Sequence, residues 1–420
     1  MNVNPLSRRQ FVQSLFAGGT ALGVAPAIKA MDSEDSLLDE IERRACLYFE
    51  EAANPATGLV LDRVRVQGRE TRSVASIAAT GFGLSAMCIG AERGYVDSGT
   101  AKTRVVRTLE QLANETDNER GFFYHFIDAG TGQRRWISEV SSIDTTWLLM
   151  GLLHCREFWA KDAIARMAKD IVERVDWTWM LAGSDVLSHG WTPEAGFLPY
   201  QWDSYAESLA MYLIAIGANS PIPASTWDVM KRPMRDVDGY IYIDSTTPLF
   251  VHQYSHAWLD FRGRRDKYAD YFRNSLRATE AHRQFCIDLS DKFPWYGPNM
   301  WGVTASDSRH GYRDWGSLPG HVDGTLVPCA SGGSVAFLPR ECGEVLRNML
   351  DRYGNKVWTR YGFRDAFQPE ANWWSPDVIG IDLGIMLIMA ENARTGAVWN
   401  AMIGVPEVVR GMDAVGLKKV

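Results

Sequence analysis

Two carboxylates and two large aromatic rings occur together in the segment Trp202–Glu207. Asp203 and Glu207 are four residues apart, so a helix through this segment would place them on one face. Trp202 and Tyr205 stand beside them in the sequence. Aromatic rings stack on the faces of sugars, and carboxyl groups transfer the protons that break glycosidic bonds. This combination is typical of a site that cleaves carbohydrate.

Other carboxylates stand close to the start of apolar helical runs. Glu139 and Asp144 come at the beginning of a helix predicted over 140–159, where capping of the helix is the alternative to a role in a site. Asp382 interrupts another apolar run, and a buried carboxylate needs a hydrogen-bond partner or a raised pKa. The alternative for Asp382 is a structural ion pair, for example with Arg394. We take all three as candidate site residues.

Polar and aromatic side chains in the following loops could bind sugar hydroxyls. His252 and His256 are four residues apart and could also bind a metal, but no third ligand follows at a recognisable spacing. We therefore predict no metal and no cofactor. Loop packing, or a local ion pair of Asp260 with Arg262, is the alternative for these residues. The further candidates for substrate binding are His252, Gln253, His256, Arg262, Trp301 and Asp307.

Composition excludes several classes of function. The chain has 420 residues and a net charge of −7, and it has no basic block that could neutralise nucleic-acid phosphates. Its 16 Trp residues favour flat platforms for ligands, with additional helix packing as the alternative. The six Cys residues have no CxxC spacing, which argues against zinc, and most of them are expected to be buried thiols. If a disulfide exists, Cys329 and Cys342 are the expected pair.

The first 30 residues are predicted to be an export signal. Ser7–Val12 has the form of a twin-arginine signal, and an uncharged stretch then leads to the small residues Ala25-Pro26-Ala27. A chance pair of arginines before an apolar helix is the alternative. The stretch is too short and too rich in small residues for a membrane anchor, and no later segment has the length of a membrane span. We expect a periplasmic protein that the twin-arginine machinery exports.

Residues 31–420 are predicted to form one all-α domain. Segments that are apolar on all sides alternate with amphipathic ones, which predicts buried helices covered by outer helices. An (α/α)6 barrel fits this pattern, whereas a solenoid is disfavoured because no repeat of fixed length is visible. Short strands are expected at 59–65, 122–127 and 239–244. Helices are predicted near 34–53, 73–93, 97–114, 140–159, 162–178, 203–217, 224–232, 251–260, 265–288, 333–352 and 378–395.

Several segments resemble the bacterial glucoamylase-like (glycoamylase) family, whose characterised members include endo-β-1,2-glucanases and sophorose-releasing enzymes. They are found in order along most of the chain after the signal. The segments that carry the resemblance are 58–63, 76–84, 121–126, 139–144, 190–194, 202–207, 248–258, 301–307, 380–384 and 391–396.

The resemblance implies an (α/α)6 barrel that cleaves glucans by acid/base catalysis without a metal. Glu207 falls at the family's general-acid position, and Asp382 falls at the acidic position across the cleft. We therefore expect a glycoside hydrolase acting on a β-linked glucan, with β-1,2 linkages favoured and inversion at the anomeric carbon. Retention is the alternative: carboxyl groups of an inverting pair are roughly 6.5–9.5 Å apart, and those of a retaining pair are roughly 5–5.5 Å apart.

Two other classes of protein remain open at this stage. One is a non-catalytic glycan-binding protein on the same barrel, which would bind glucan without releasing new reducing ends. The other is a polysaccharide lyase, which the sequence disfavours because no basic cluster near the candidate site could neutralise a uronate.

Overall fold

Helices form most of the regular structure in residues 34–244, 248–316 and 320–420, which the computed structural model describes. The predicted export signal at 1–30 lies outside the described residues. Two short 3-10 helices cover Leu249–His252 and Gly354–Lys356. The α-helices are α1 (Glu34–Glu51), α2 (Ile77–Arg93), α3 (Ser98–Asn114), α4 (Ser142–Phe158), α5 (Ala163–Val172), α6 (Trp177–Met180), α7 (Leu209–Ile216), α8 (Ser225–Val229), α9 (Tyr254–Trp258), α10 (Tyr271–Asp288), α11 (Pro328–Gly332), α12 (Pro339–Tyr353), α13 (Gly380–Arg394), α14 (Ala397–Met402) and α15 (Pro406–Ala414).

The strands are short and pair antiparallel in the loops between helices. The predicted strand regions are confirmed, and several pairs were not predicted. The strands are β1 (Arg63–Arg65), β2 (Val74–Ser76), β3 (Asn118–Glu119), β4 (Phe122–Phe123), β5 (Phe126–Asp128), β6 (Val140–Ser141), β7 (Gly190–Thr192), β8 (Gly196–Phe197), β9 (Met234–Val237), β10 (Tyr240–Ile243), β11 (Arg264–Arg265), β12 (Ala305–Ser306), β13 (Arg313–Asp314), β14 (Trp358–Thr359), β15 (Gly362–Phe363), β16 (Phe367–Gln368), β17 (Trp373–Trp374), β18 (Asp377–Ile379) and β19 (Lys418–Lys419).

The helices form a buried set and a covering set, as the hydrophobic pattern predicts. Helices α2, α4, α7 and α13 are buried along most of their length, whereas α3, α5 and α12 bury one face only. Helix α2 packs between α4 and α13, and α1 and α3 cover them from outside. The protein is thus predominantly helical, with an inner layer whose apolar residues contact one another on all sides.

Two glycines allow the inner helices α2 and α4 to approach closely. A Cβ atom on Gly151 would overlap the carbonyl oxygen of Gly81, and one on Gly81 would overlap the carbonyl oxygen of Trp147. No other residue type fits at these positions unless the two helix backbones move apart.

Short strands fix where three of the inner helices begin. Strand β2 leads into α2, β6 into α4 and β18 into α13, and each of these strands is paired with another strand. The hydroxyls of Ser76 and Ser141 accept hydrogen bonds from backbone N–H groups in the first turns of α2 and α4. These caps satisfy donors that a helix terminus leaves free. The first turns of the inner helices are therefore held in place at one end of the layer.

One predicted helix is much shorter than expected. The pattern predicts a helix over 203–217, but α7 begins at Leu209. The Tyr205 N–H donates to the Lys231 carbonyl at 2.7 Å, and the Lys231 N–H donates to the Asp203 carbonyl at 2.8 Å. These bonds between neighbouring chain segments hold residues 203–205 in a bridge. The prediction that Asp203 and Glu207 share one face of a helix is therefore wrong.

All six cysteines are buried thiols that form no disulfide. The suggested Cys329–Cys342 disulfide is therefore absent. The Sγ atoms of Cys88 and Cys155 lie 3.6 Å apart, within α2 and α4, without a bond between them. Among the described residues, no helix combines the length and the hydrophobicity needed to cross a bilayer.

The contact between Gly81 and Gly151 gives a test of the inner layer. Replacing Gly151 with Ala should lower the free energy of unfolding by about 1–3 kcal/mol, because the added methyl group separates α2 from α4. Gly404→Ala is the matched control, since no atom lies within 4 Å of a Cβ there. Chemical denaturation of both variants measures the difference, and equal stability of the two would contradict the packing described.

Candidate active site

The beginnings of the inner helices border one cleft of about 560 Å³. It receives residues from the first turns of α2, α4 and α13, from the loop before α7 and from α9. The residues that line it are Asp62, Arg63, Ser76, Ala78, His125, Phe126, Trp136, Ile143, Asp144, Trp147, Glu207, Phe250, Tyr254, Ala305, Tyr312, Ile379, Ile381 and Asp382. Helix N-termini carry partial positive charge, so this end of the layer favours carboxylates.

Glu207 lies in the loop that leads into α7. Its backbone carbonyl accepts a hydrogen bond of 2.5 Å from the Ser255 hydroxyl, which in turn accepts the N–H of Ala210. Burial and the neighbouring Asp144 carboxylate raise the pKa of Glu207 to about 8, against a smaller lowering by His125. The side chain is therefore mostly protonated at neutral pH, which suits a proton donor.

His125 lies between two carboxylates next to Glu207. Its Nδ1 is 3.1 Å from Glu139 Oε1, and its Nε2 is 3.6 Å from Asp144 Oδ1. Burial alone would lower the pKa of His125, but Asp144 and Glu139 together raise it to about 9. The imidazolium form can then donate from both nitrogens. The ring of Phe126 stacks on the imidazole, with centroids 3.9 Å apart.

His125, Glu139 and Asp144 are also the residues that could hold a metal, because their ligand atoms lie within 4.8 Å of one another. The two carboxylates raise the pKa of His125, so in the metal-free protein the three residues form an ion-paired cluster that includes Asp144. The predicted pair of metal-capable histidines, His252 and His256, is buried and lies outside the cleft.

Asp382 lies in the first turn of α13 and shares a buried environment with Asp365. Burial raises the pKa of Asp382 to about 6, although hydrogen bonds from Asp365 and the Cys329 thiol lower it in part. Burial and the charge of Asp382 raise the pKa of Asp365 well above its usual range. Oδ1 of Asp365 and Oδ2 of Asp382 are both buried without a hydrogen-bond partner. One proton shared by the pair, resident on Asp365, satisfies both groups and leaves Asp382 ionised.

A cation anchors this side of the cleft. Arg63 donates to Asp62 at 2.9 Å and to Asp307 at 2.8 Å. The Asp307 N–H donates to Asp365 at 2.8 Å, so the ion pair is linked to the carboxyl pair. Strand β1 carries Arg63, and its partner β18 leads directly to Asp382. Asp307 therefore lies behind the cleft wall, with an ion pair that supports Asp382.

Three of the predicted site residues line the cleft, and two more lie behind its wall. Glu207, Asp382 and Asp144 border it directly, whereas Glu139 and Asp307 act through His125 and Arg63. The first three come from separate parts of the chain. They meet because α4, α7 and α13 all begin at this cleft.

The aromatic residues of the opening segment have a different place from the one predicted. Trp202 is buried, donates to the Ser142 hydroxyl at 3.0 Å and stacks on His189. The Tyr205 hydroxyl is 3.0 Å from Nδ1 of His252, and both residues are buried. None of these rings lines the cleft. The prediction that Trp202, Tyr205 and His252 contact substrate there is corrected, because they hold the Glu207 loop from behind.

The remaining predicted binding residues have structural contacts. Asp203 forms an ion pair of 2.5 Å with Lys231, and Gln253 donates to the Ala330 carbonyl at 2.8 Å. His256 lies 2.9 Å from the Ser275 hydroxyl, and burial lowers its pKa to about 3. Arg262 pairs with Asp260 and lies over the Trp399 ring. Trp301 is fully buried. These residues lie outside the cleft, which corrects their assignment to it.

Sequence reasoning missed His125, Arg63 and Asp365. Asp365 stands in a loop segment without helical periodicity, so no pattern marked it. His125 and Arg63 are within segments that carry the family resemblance, but Glu139 is 14 residues from His125 and Asp307 is 244 residues from Arg63. Only the strand pairs of the folded chain show these contacts.

A larger cavity of about 930 Å³ lies between α1, α2 and α3. Its charged side chains are engaged with neighbours, since Arg104 pairs with Glu50 and Arg107 donates to the Pro55 carbonyl. The smaller cleft is the one that contains carboxyl groups with opposite protonation states. We therefore place the chemistry there.

Comparison with known proteins agrees with this predominantly helical fold. The Glycoamylase family model, described as "Putative glucoamylase", matches residues 199–406. Over these residues the chain is similar to the glycoamylase-like family. An exo-β-1,2-glucooligosaccharide sophorohydrolase of Parabacteroides distasonis is 27% identical over 91% of this chain. The chain spans 58% of the length of that relative.

Several solved structures are also similar to this chain over nearly its full length. The endo-β-1,2-glucanase of Chitinophaga pinensis, in complex with sophorotriose and glucose, is 27% identical with a TM-score of 0.85. The alignment covers 92% of this chain and 99% of that one. A Bacteroides uniformis protein with a glucoamylase description is 28% identical with a TM-score of 0.87, over 92% and 98% of the two chains. The shared fold thus extends over nearly all of the described residues.

Proposed function

We propose that this protein is a glycoside hydrolase that cleaves β-1,2-linked glucan or its oligosaccharides. The observation that carries the proposal is the pair of carboxyl groups bordering one cleft, Glu207 and Asp382, whose environments raise their pKa values to about 8 and about 6. At neutral pH the first is mostly an acid and the second mostly a base, which is what glycoside hydrolysis requires. The β-1,2 linkage rests on the relatives, which are named for it.

The reaction follows from these protonation states. Glu207 donates its proton to the glycosidic oxygen as the bond from that oxygen to the anomeric carbon breaks. A water molecule attacks the anomeric carbon, and Asp382 accepts the proton of that water directly or through a substrate hydroxyl. Two sugars with free hydroxyls leave, and the proton on Asp382 returns to Glu207 through solvent.

Inversion at the anomeric carbon is part of the proposal. Glu207 interacts with Asp144 and His125, whereas Asp382 interacts with Asp365 and Cys329, so the two catalytic groups have separate neighbours. This separation supports an arrangement with the substrate and a water between them. Asp365 would keep Asp382 ionised by retaining the shared proton, and Asp144 would keep Glu207 protonated.

The architecture proposed for residues 31–420 is a single (α/α)6 barrel. The buried helices α2, α4, α7 and α13 and their amphipathic covers support it, as does the packing of α13 back onto α2. A closed inner ring explains why helices distant in sequence open onto one cleft. Each carboxyl group is then fixed by a different inner helix.

Export to the periplasm by the twin-arginine machinery completes the proposal. It rests on the Ser7–Val12 motif and the small residues at 25–27. A glucan substrate would then be met outside the cytoplasm.

Replacing Glu207 with Gln tests whether Glu207 is the proton donor. The variant should lose about 10²- to 10⁴-fold in kcat on β-1,2-glucan, since it cannot donate a proton to the leaving oxygen. Binding of the glucan, measured by calorimetry, should be retained because the side chain keeps its size. Asp203→Asn is the control, as Asp203 pairs with Lys231 away from the cleft. Binding without release of reducing ends by the unmodified protein would instead favour a glycan-binding protein.

The pH profile tests the two environments. We expect kcat/KM to rise as Asp382 ionises at about pH 6 and to fall as Glu207 loses its proton at about pH 8. Asp144→Asn removes a negative charge that raises the pKa of Glu207, so the alkaline limb should move to lower pH. Asp203→Asn is the control, and its alkaline limb should not move. If the alkaline limb of Asp144→Asn also stays at the pH of the unmodified protein, the role of Asp144 is refuted.

A further inference from the structure

Trp136 has an unusual place at the rim of the cleft. It borders the cleft, yet 67% of its surface is exposed to solvent. Its backbone φ is +54°, in the left-handed region that favours glycine. A bulky residue in that conformation costs of order 1–3 kcal/mol, and such strain persists where the surroundings enforce it. An exposed Trp held in a strained conformation has no explanation in folding alone.

Hydrogen bonds enforce the turn that presents Trp136. The Arg135 N–H donates to the Phe126 carbonyl at 2.9 Å, and the Ser138 hydroxyl donates to the same carbonyl at 3.1 Å. Nε of Arg134 donates to the Ser138 carbonyl at 2.6 Å, which closes the turn. The residues on both sides of Trp136 are thus tied to strand β5, and the backbone position from which the indole projects is fixed relative to the cleft.

A row of rings connects Trp136 to the proposed acid. Its indole contacts Phe126 edge to face, with centroids 5.3 Å apart, and Phe126 stacks on His125. His125 in turn contacts Asp144, the carboxylate that raises the pKa of Glu207. The exposed indole therefore continues the wall of the cleft on the Glu207 side.

We infer that the indole of Trp136 is a stacking platform for a glucosyl ring on the Glu207 side of the bond that is cleaved. The inference rests on the proposed function and adds a binding subsite to it. The C–H groups of a pyranose face are apolar and match a flat ring, whereas its hydroxyls stay in solvent at the rim. Because the strained turn already restricts the indole, little conformational freedom is lost on binding, and the affinity for the sugar is higher.

The test compares variants of the turn on β-1,2-glucooligosaccharides of increasing length. Trp136→Gly removes the ring and suits the positive φ, so any loss cannot come from added strain. We expect KM to rise about tenfold on oligosaccharides long enough to reach the turn, with kcat changed less than twofold, and about tenfold corresponds to 1.4 kcal/mol. Trp136→Tyr should retain most of the affinity, because it keeps an aromatic face.

Ile137→Ala is the matched control, since Ile137 is the next residue, is 78% exposed and does not line the cleft. Its KM should stay at the value of the unmodified enzyme. Calorimetry in the Glu207→Gln background measures binding without turnover, and there Trp136→Gly should weaken binding by the same factor.

An unchanged KM and an unchanged affinity in Trp136→Gly would overturn the subsite while leaving the hydrolase intact. Release of no reducing ends by the unmodified protein would overturn the proposed function instead. If that protein still bound the glucan and Trp136→Gly weakened the binding, the platform would stand. An equal loss in Ile137→Ala would show that the turn, rather than the ring, controls binding, and it would also overturn the inference.

Discussion

Burial of carboxyl groups at the beginnings of close-packed helices is the constraint on which the rest of the site depends. The inner helices α2 and α4 pack closely because the small residues Gly81 and Gly151 let their backbones approach. Strand pairs and serine caps then fix where each helix starts. The carboxyl groups that border the cleft are consequently buried or half-buried, so neighbouring groups contribute strongly to their charge states.

The two sides of the cleft set the charge states of Glu207 and Asp382 in different ways. On one side, Asp144 is held by His125, and its negative charge favours the protonated form of Glu207. On the other side, Asp365 shares a proton with Asp382 and lies next to the ion pair of Arg63 with Asp307. Each proposed catalytic group thus has its own neighbouring carboxyl. Opposite protonation states at neutral pH follow from the fold, without a metal being invoked.

Much of the fold could be predicted because hydrophobic periodicity reports burial directly. The alternation of apolar and amphipathic runs located the helices, and Asp382 was marked by its apolar neighbours. Periodicity could not show that a bridge to Lys231 keeps residues 203–205 out of the helix. Trp202, Tyr205 and His252 have the composition of a sugar site but pack behind it, since residue type does not tell which way a side chain faces. Asp365 and His125 could not be predicted, because they meet Asp307 and Asp144, respectively, only in the folded chain.

Glu207 is a protonated acid at neutral pH because of its burial and of the neighbouring Asp144. Infrared difference spectroscopy of the free protein, comparing it with Glu207→Gln over a pH titration, measures this protonation state directly. We expect a carboxylic-acid band that is present at pH 7, lost with a midpoint at about pH 8, and missing from the Gln variant. A Glu207 carboxyl that is already ionised at pH 6 would contradict this protonation state.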